Sequence, residues 1–410
     1  MSSPPGIGLL LVPHGHVFAA VASSILHTAA DAGGMRQTLV GGTVLVGDRL
    51  IPDTTLSIDG GRITTVGAAV GTSAAVAVHN LLVLPGLIDL HADAIERAIE
   101  PRPGVRMPLP AALMEHDGWL LASGITTCFL SLTDGFEPGL RSRELLRSLI
   151  ETLRSQKVPL KARTPVHLRR EVCAPGDPDE VVAWLATRQV HLLSLNDHLP
   201  SGDDPGQEAR FVASLRRRLN GRGSDLESLI AEARNRRSSG LAIRERLCHA
   251  ARAHDVPVAA HDDASPDQAE ASAARGVAIS EFPADLATAR RARQLGSRVL
   301  LGAPNVVRGG SHVGWLGAAD AVAAGACDAL CSDYHPPCLF QAPFILAERG
   351  VCDLASGWNL ASRGPALAAG LHDHGRLEAG CVADLVLVEP GPVPRVRSVY
   401  IAGREVARYL

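Results

Sequence analysis

At 410 residues, with 46% hydrophobic and 20% charged residues and a formal net charge of −3, the chain has the composition of a globular protein able to bury a full core. The near-neutral charge and 3% aromatic content exclude a basic nucleic-acid surface and a stacking platform for single strands, and no uninterrupted apolar run of about 18 residues is present to span a membrane. The eight cysteines are scattered without a C-x-x-C pair, which points to a reduced, cytoplasmic setting rather than a disulfide framework.

Residues 1–34 contain an apolar stretch from Gly6 to Ala30, but no basic segment precedes it and His14 and His16 interrupt it. It reads as a disordered or non-native extension, not as a signal peptide. From Gln37 to Val83 short β-branched runs (Thr38–Val46, Thr55–Ile58, Ile63–Val66) flank an Asp59-Gly60-Gly61-Arg62 turn, the pattern of a hairpin. Ala383–Val388, Val396–Ile401 and Gly403-Arg404-Glu405 have the same character. Residues 35–83 and 376–410 are therefore expected to form one small β-sandwich domain assembled from both ends of the chain.

Between them, residues 84–375 alternate apolar strands with Ala/Arg/Leu-rich helices, the order of a (β/α)8 TIM-type barrel. The eight expected strands are Leu84–Leu90, Ile125–Leu132, Pro165–Glu171, Val190–Asn196, Val256–His261, Val277–Phe282, Arg298–Leu301 and Ala329–Asp333. Helices such as Glu144–Arg154, Ala183–Arg188, Asp285–Gln294 and Ala318–Ala324 fall between them. The polar, Arg-rich segment Ser201–Arg246 exceeds what a barrel connection needs and is expected to be a helical insertion over the catalytic face.

Polar residues collect where these strands end, the face on which barrel enzymes build their sites. The first strand runs out in His91-Ala-Asp93, whose side chains leave the same face because strand residues alternate. His167, Arg169 and Glu171 share a face by the same rule, and His198, His261 and Asp333 follow later strands. His91, Asp93, Glu171, His198, His261 and Asp333 supply donors for one or two divalent ions, zinc or manganese by ligand type. A paired site needs a bridging anion. The only lysines, Lys157 and Lys161, are not at strand ends, which leaves Glu171 as the bridge. Asp333 is expected to be both a ligand and the catalytic base.

A second cluster suggests an anionic substrate. Gly302–His312 reads as a Gly-rich loop with Arg308, Gly309, Gly310, Ser311 and His312 arranged as an anion nest. Arg102 and Arg106 follow the first metal strand, and Arg169 and Arg170 add further guanidiniums to that face. His167 is assigned to substrate binding, with a ligand or supporting role left open.

The runs P-G-L-I-D-L-H-A-D (from Pro85), E-P-R-P-G-V (from Glu100), H-L-R-R-E (from His167), L-N-D-H (from Leu195), H-D-D-A (from His261), E-F-P (from Glu281), G-A-P-N-V-V-R-G-G-S-H (from Gly302) and S-D-Y-H-P (from Ser332) together resemble the PhnM proteins of the phosphonate (carbon–phosphorus lyase) pathway, members of the amidohydrolase superfamily. The resemblance extends from about Met35 to the C-terminus. It implies a metal-dependent diphosphatase that converts α-D-ribose 1-methylphosphonate 5-triphosphate to the 5-phosphate and pyrophosphate, with water attacking the α-phosphorus. His335 stands where the resemblance leads one to expect a second aromatic after Tyr334. The superfamily draws its ligands from the first, fourth, fifth, sixth and eighth strands, whereas this reading uses the first, third, fourth, fifth and eighth, a mismatch attributed to strand counting. The competing readings are a generic amidohydrolase acting on a cyclic amide or a base, and a non-catalytic barrel subunit. Neither nucleic acid nor membrane is expected as a partner, and a homodimer is compatible with the composition.

Overall fold

Eight parallel strands form one sheet in the computed structural model: Leu87–Ala92, Ile125–Asp134, Val166–Glu171, Leu192–Asn196, Val258–His261, Ile279–Glu281, Arg298–Gly302 and Ala329–Cys331, adjacent in chain order. The structure describes residues 36–410 except 68–74, 156, 201–203, 220–224 and 312–313, so the extension expected over 1–34 lies outside the described residues. The barrel closes at its C-terminal rim. Asp333 donates its N–H to the His91 carbonyl (2.9 Å) and accepts the Asp93 N–H (3.0 Å), which ties the eighth strand to the first. Beneath this closure the buried Asp89 accepts the N–H groups of His91 (3.2 Å) and Ser332 (3.1 Å), and burial pushes its carboxyl up to about 6.

The count of eight strands agrees with the sequence reading, so Glu171 does stand on the third strand and the mismatch is not one of counting. The first expected strand is in fact two. Leu82–Pro85 joins the other sheet, and after Gly86 the chain enters the barrel as Leu87–Ala92. A Cβ on Gly86 would lie 2.3 Å from Thr126 Oγ1, so only glycine lets the first barrel strand approach the second at this point. Inside, Ile88, Leu90, Phe129, Leu192, Ala259, Ile279, Leu300 and Ala329 pack together, joined by Ala366, Ala369 and Leu371 from helix Arg363–Ala368 and the turn after it.

The outer helices follow local rules that the sequence displays. Ser142, Asp177, Ser265 and Asp285 each cap a helix by accepting an N–H two or three residues on. Helix Arg143–Arg154 buries Leu145, Leu146, Leu149 and Ile150 on one face. The insertion is a pair of helices, Pro205–Leu219 and Leu226–Ala253. Their Leu215, Leu219, Ile230 and Ala233 pack on Phe136, Cys173 and Leu199, each of which follows the end of the second, third or fourth barrel strand. The pair therefore covers the C-terminal rim. Gly240 lets the long helix lie against the backbone there, since a Cβ would fall 1.8 Å from the Val172 carbonyl oxygen.

The terminal strands join in a second, mostly antiparallel sheet with the order Arg404–Arg408, Arg395–Ile401, Leu385–Glu389, Leu82–Pro85, Gln37–Val46, Arg49–Asp59, Arg62–Gly67. The expected Gly60-Gly61 hairpin turn forms with both residues at positive φ. The sheet curls, so that Gly61 near one edge approaches Ala402 near the other and Leu39, Ile58, Leu385 and Tyr400 share one core. On the strand Leu385–Glu389, Leu385 and Leu387 face that core, while Val386 and Val388 join the barrel's outer layer. The period-two pattern thus glues the two units together.

Among the described residues no helix is long and apolar enough to cross a membrane, and the eight cysteines are free.

Arg163 and Asp384 form a buried ion pair between barrel and terminal sheet, and Asp384 also accepts the Ala402 N–H (2.8 Å). Asp384→Ala leaves Arg163 buried beside a lost carboxylate and is expected to cost about 3–5 kcal/mol in denaturant unfolding. Burial lowers the imidazoles of His116 and His191 from the ordinary 6.5 to about 4. The unfolded chain therefore takes up protons first, and stability conferred by these groups is complete above pH 6.5 and is lost as pH falls towards 4. His116→Leu should flatten that part of the stability–pH curve; an unchanged curve would contradict it.

Candidate metal centre at the barrel mouth

The strand ends direct their side chains inward through an abrupt turn of the backbone. Asp262, Phe282 and Asp333, just after the fifth, sixth and eighth strands, all have positive φ (64°, 53° and 56°). Such conformations are costly for residues with a Cβ and persist where surrounding contacts enforce them, as they do at many functional sites. They line a cavity of about 390 Å³ together with His91, Arg169 and His261. Pro283, Leu301, Trp315 and Leu316 form an apolar side, and Asn305 and Ser311 add polar groups.

Among the described residues, three donor groups converge on this mouth: His91, Asp93 and Asp333; His198, His261 and Asp262; and His91, His261 and Glu281. Within each, the donor atoms lie within 4.8 Å of one another, close to the span of ligands held at about 2.1 Å from one ion. Neutral imidazole nitrogens beside carboxylate oxygens suit zinc, manganese or a similar divalent cation. The residues present therefore fit a metal centre, with His91 and His261 stacked at its heart (ring centroids 5.3 Å apart, planes 16° apart).

Two carboxylates orient the three imidazoles. Glu281, on the sixth strand and wholly buried, meets His91 Nδ1 through Oε1 and His261 Nδ1 through Oε2, each at 3.2 Å. Burial works to raise its carboxyl, but the surrounding imidazoles outweigh it and hold it well below the usual range. Glu171 meets His198 Nδ1 at 2.5 Å and also accepts the His198 N–H at 3.3 Å. His198 outweighs burial in the same way and brings Glu171 to about 2. An ionised carboxylate only accepts, so each Nδ1 carries a proton and each Nε2 is turned to the mouth. Arg169 Nη2 donates to His261 Nε2 (3.3 Å), which requires a bare Nε2 there. His198 Nε2 lies 3.6 Å from Asp262; burial would lower this imidazole, but Glu171 and Asp262 prevail and raise it to about 9. Without a cation it therefore holds both protons, and the one on Nε2 must leave for that nitrogen to become a donor.

Several sequence expectations change. Glu171 is not in any of the three donor groups, because its oxygens are committed to His198. His167 is not on the cavity wall: it is fully buried below it, between Ser131 Oγ (3.0 Å) and Ser194 Oγ (2.6 Å). Gly309 and Gly310 do not offer an anion nest. Ala303–Arg308 is a short helix, and the two N–H groups bond back to Val306 (3.3 Å) and Asn305 (2.9 Å), the ordinary left-handed glycine cap. Arg170 turns away from the mouth to Asp134, which Arg143 also grips at 2.6 Å. Arg102 and Arg106 are exposed and do not border the cavity, and Arg106 lies 3.6 Å from Glu100. Arg308 is exposed and reaches Tyr334 Oη at 3.4 Å, Ser311 lines the cavity, and His312 lies outside the described residues.

Residues the sequence reading missed are Asp262, Glu281 and Arg141. Asp262 was hidden inside H-D-D-A and Glu281 inside E-F-P, both at expected strand ends, so position alone could have flagged them. Arg141, in the segment after the second strand, carried no signal; it bonds Glu96 (2.9 Å) and approaches Asp93 (3.9 Å).

Comparison with known proteins agrees with this picture. No protein-family model matches the chain. Over 314 residues, 74% of this chain and 82% of the relative, it is 32% identical to the alpha-D-ribose 1-methylphosphonate 5-triphosphate diphosphatase of Escherichia coli (strain K12). Among solved structures, a putative prolidase from Bifidobacterium longum superposes with TM-score 0.59 at 18% identity, covering 92% of this chain and 95% of that one. A Xaa-Pro dipeptidase with bound methionine in its active site gives 0.61 at 16%, covering 90% and 99%. At these identities the structural likenesses establish the fold.

His261 belongs to two of the three donor groups. Stripping the protein with a chelator and dialysing it against zinc or manganese is expected to return one or two equivalents of metal, and fewer in His261→Ala; an undiminished content would remove His261 from the centre.

Proposed function

The chain belongs to the family of alpha-D-ribose 1-methylphosphonate 5-triphosphate diphosphatases, the PhnM type within the amidohydrolase superfamily, and we propose that its barrel mouth cleaves the anhydride between the α- and β-phosphates of a ribose 5-triphosphate carrying a phosphonate at C1. The products are the 5-phosphate and pyrophosphate. It is a hydrolase of phosphoric anhydrides. One observation supports the finer reading above all: members of each donor group (His91, His261, Asp262 and Asp333) and the Arg169 guanidinium line a single cavity, as hydrolysis of a polyanion requires.

His91, Asp93 and Asp333 would hold one divalent ion and His198, His261 and Asp262 a second, with Glu281 and Glu171 orienting the imidazoles. Bound there, such an ion would supply Lewis acidity at phosphoryl oxygens and lower the pKa of water towards about 7. The rest is done by the chain. Asp333 presents its carboxylate in the cavity wall and takes the proton of the attacking water. Arg169, which lies 3.4 Å from Asp93 and borders the cavity, places a fixed positive charge beside the α-phosphate. Asn305 and Ser311 offer neutral hydrogen bonds from the cavity wall, and Arg308, exposed beside Tyr334 and not itself in that wall, would meet the distal phosphates. Phe282, Leu301, Trp315 and Leu316 pack on the sugar and keep bulk water from the reacting phosphorus.

Phosphorus NMR on the ribose triphosphate phosphonate in ¹⁸O-water tests this reading. The expected products are pyrophosphate and a 5-phosphate that carries the label. Release of orthophosphate alone, or opening of a cyclic ureide without action on the triphosphate, would replace it with another hydrolase activity. Absence of both metal and turnover would favour a non-catalytic subunit.

Chelation is expected to abolish pyrophosphate release and re-addition of divalent metal to restore it. Asp333→Asn should lower kcat by about 10²–10⁴, the range of a lost general base, with its circular dichroism unchanged. Arg308→Ala should raise KM more than it lowers kcat, as for a contact made equally in ground and transition states; the opposite split would place Arg308 on the developing charge.

A further inference from the structure

A run of hydrogen bonds encircles the barrel interior just below the mouth, and its direction can be assigned atom by atom. Ala92 N–H, between His91 and Asp93 on the first strand, donates to Ser131 Oγ on the second (3.0 Å). The Ser131 hydroxyl also meets His167 Nδ1 on the third strand (3.0 Å), and it donates there because the far end of the run leaves Nδ1 bare: the ionised Glu281 only accepts and takes the single Ser194 hydrogen, so His167 Nε2 must donate to Ser194. A neutral His167 whose Nδ1 accepts carries its proton on Nε2, which donates to Ser194 Oγ on the fourth strand (2.6 Å). Ser194 then donates to Glu281 Oε2 on the sixth (2.7 Å). Glu281 accepts from His91 Nδ1, back on the first strand, and from His261 Nδ1 on the fifth.

The assignment holds from the other end as well. Arg169 can only donate, so His261 Nε2 accepts and Nδ1 bears the hydrogen facing Glu281. Burial lowers the His167 imidazole to about 3, in keeping with a neutral ring. His167, Ser194 and Glu281 are all shielded from solvent, so no water competes for these bonds.

We propose that this circuit is a positioning device: Ser131, His167 and Ser194 hold Glu281, and Glu281 sets His91 and His261 in the tautomer that presents Nε2 to a divalent cation. Glu281 acts through the imidazoles and is not itself a ligand, although it lies close enough to both to be counted with them. The inference rests on the metal-centre reading above and extends it to residues that never touch the ion or the substrate. Partners of this kind typically govern metal affinity by about 10–100-fold. His167, an imidazole with no cavity surface, acquires a role: it relays orientation between two serines.

Two measurements test the circuit. Long-range ¹H–¹⁵N correlation on the chelator-stripped protein should show His91 and His261 protonated on Nδ1 and His167 on Nε2; the reverse tautomer at His167 overturns the proposal. This readout needs no metal and no turnover, so it stands even if the proposed activity fails. Titration with zinc or cobalt should then show Kd raised about 10–100-fold in Glu281→Gln and raised in Ser194→Ala. His167→Gln, which can still accept from Ser131 and donate to Ser194, should bind more tightly than His167→Leu. Equal metal affinity in wild type, Ser194→Ala and His167→Leu would reduce these residues to packing. Loss of one whole equivalent in Glu281→Gln, with the remaining ion bound normally, would make Glu281 a ligand. Thermal melts of the stripped variants confirm that each is folded when its affinity is read.

Discussion

Carboxylates gripping imidazoles by Nδ1 are the constraint on which this site depends. A neutral imidazole offers one lone pair, and the proton decides which nitrogen carries it. Glu281 makes that choice for His91 and His261, and Glu171 keeps a proton on His198 Nδ1, so that Nε2 is the nitrogen freed when a cation displaces its second proton. Without those acceptors the same three rings could turn N–H groups towards the mouth, and the donor groups would repel a cation. Electrostatics works the same way in both cases. Burial disfavours each glutamate's charge, and the rings around it more than restore it.

The barrel supplies what isolated side chains lack, a fixed frame for these pairs. Its closure passes through the site itself, since the hydrogen bonds that join the eighth strand to the first use the backbone of His91, Asp93 and Asp333. Displacing any of these residues would open the sheet. Outside the mouth, Asp134 between Arg143 and Arg170 braces the ends of the second and third strands, and the insertion helices pack over the loops that follow. Arg170 and Arg169 are neighbours with opposite fates, because successive strand residues face opposite sides. One guanidinium is buried in a structural pair; the other is left to the cavity.

Much of this was legible in the chain. Alternating apolar runs, N-capping serines and aspartates, and the double-glycine hairpin turn all act within a few residues, so the eight barrel strands, the outer helices and the hairpin could be placed in advance. So could His91, Asp93, His198, His261 and Asp333, because a polar residue ending a buried strand is conspicuous. The reading failed where two explanations share one pattern. Gly309-Gly310 looks the same whether its amides bind an anion or cap a helix, and the preceding six residues form that helix. Glu171 looked like a bridging ligand because it ends a strand, whereas Glu281, which also ends a strand, went unnoticed between a serine and a phenylalanine.

By itself, the sequence determined the periodicities, and through them the barrel, the two-ended terminal sheet and the strand ends at which chemistry would collect. Tertiary structure alone decided which of those polar groups point into one cavity and which hold the others in place. The reason is geometric. Strand pattern specifies a side chain's face but not what stands across the barrel from it, and the role of a carboxylate as ligand or orienting acceptor depends on that partner, up to 190 residues away between His91 and Glu281.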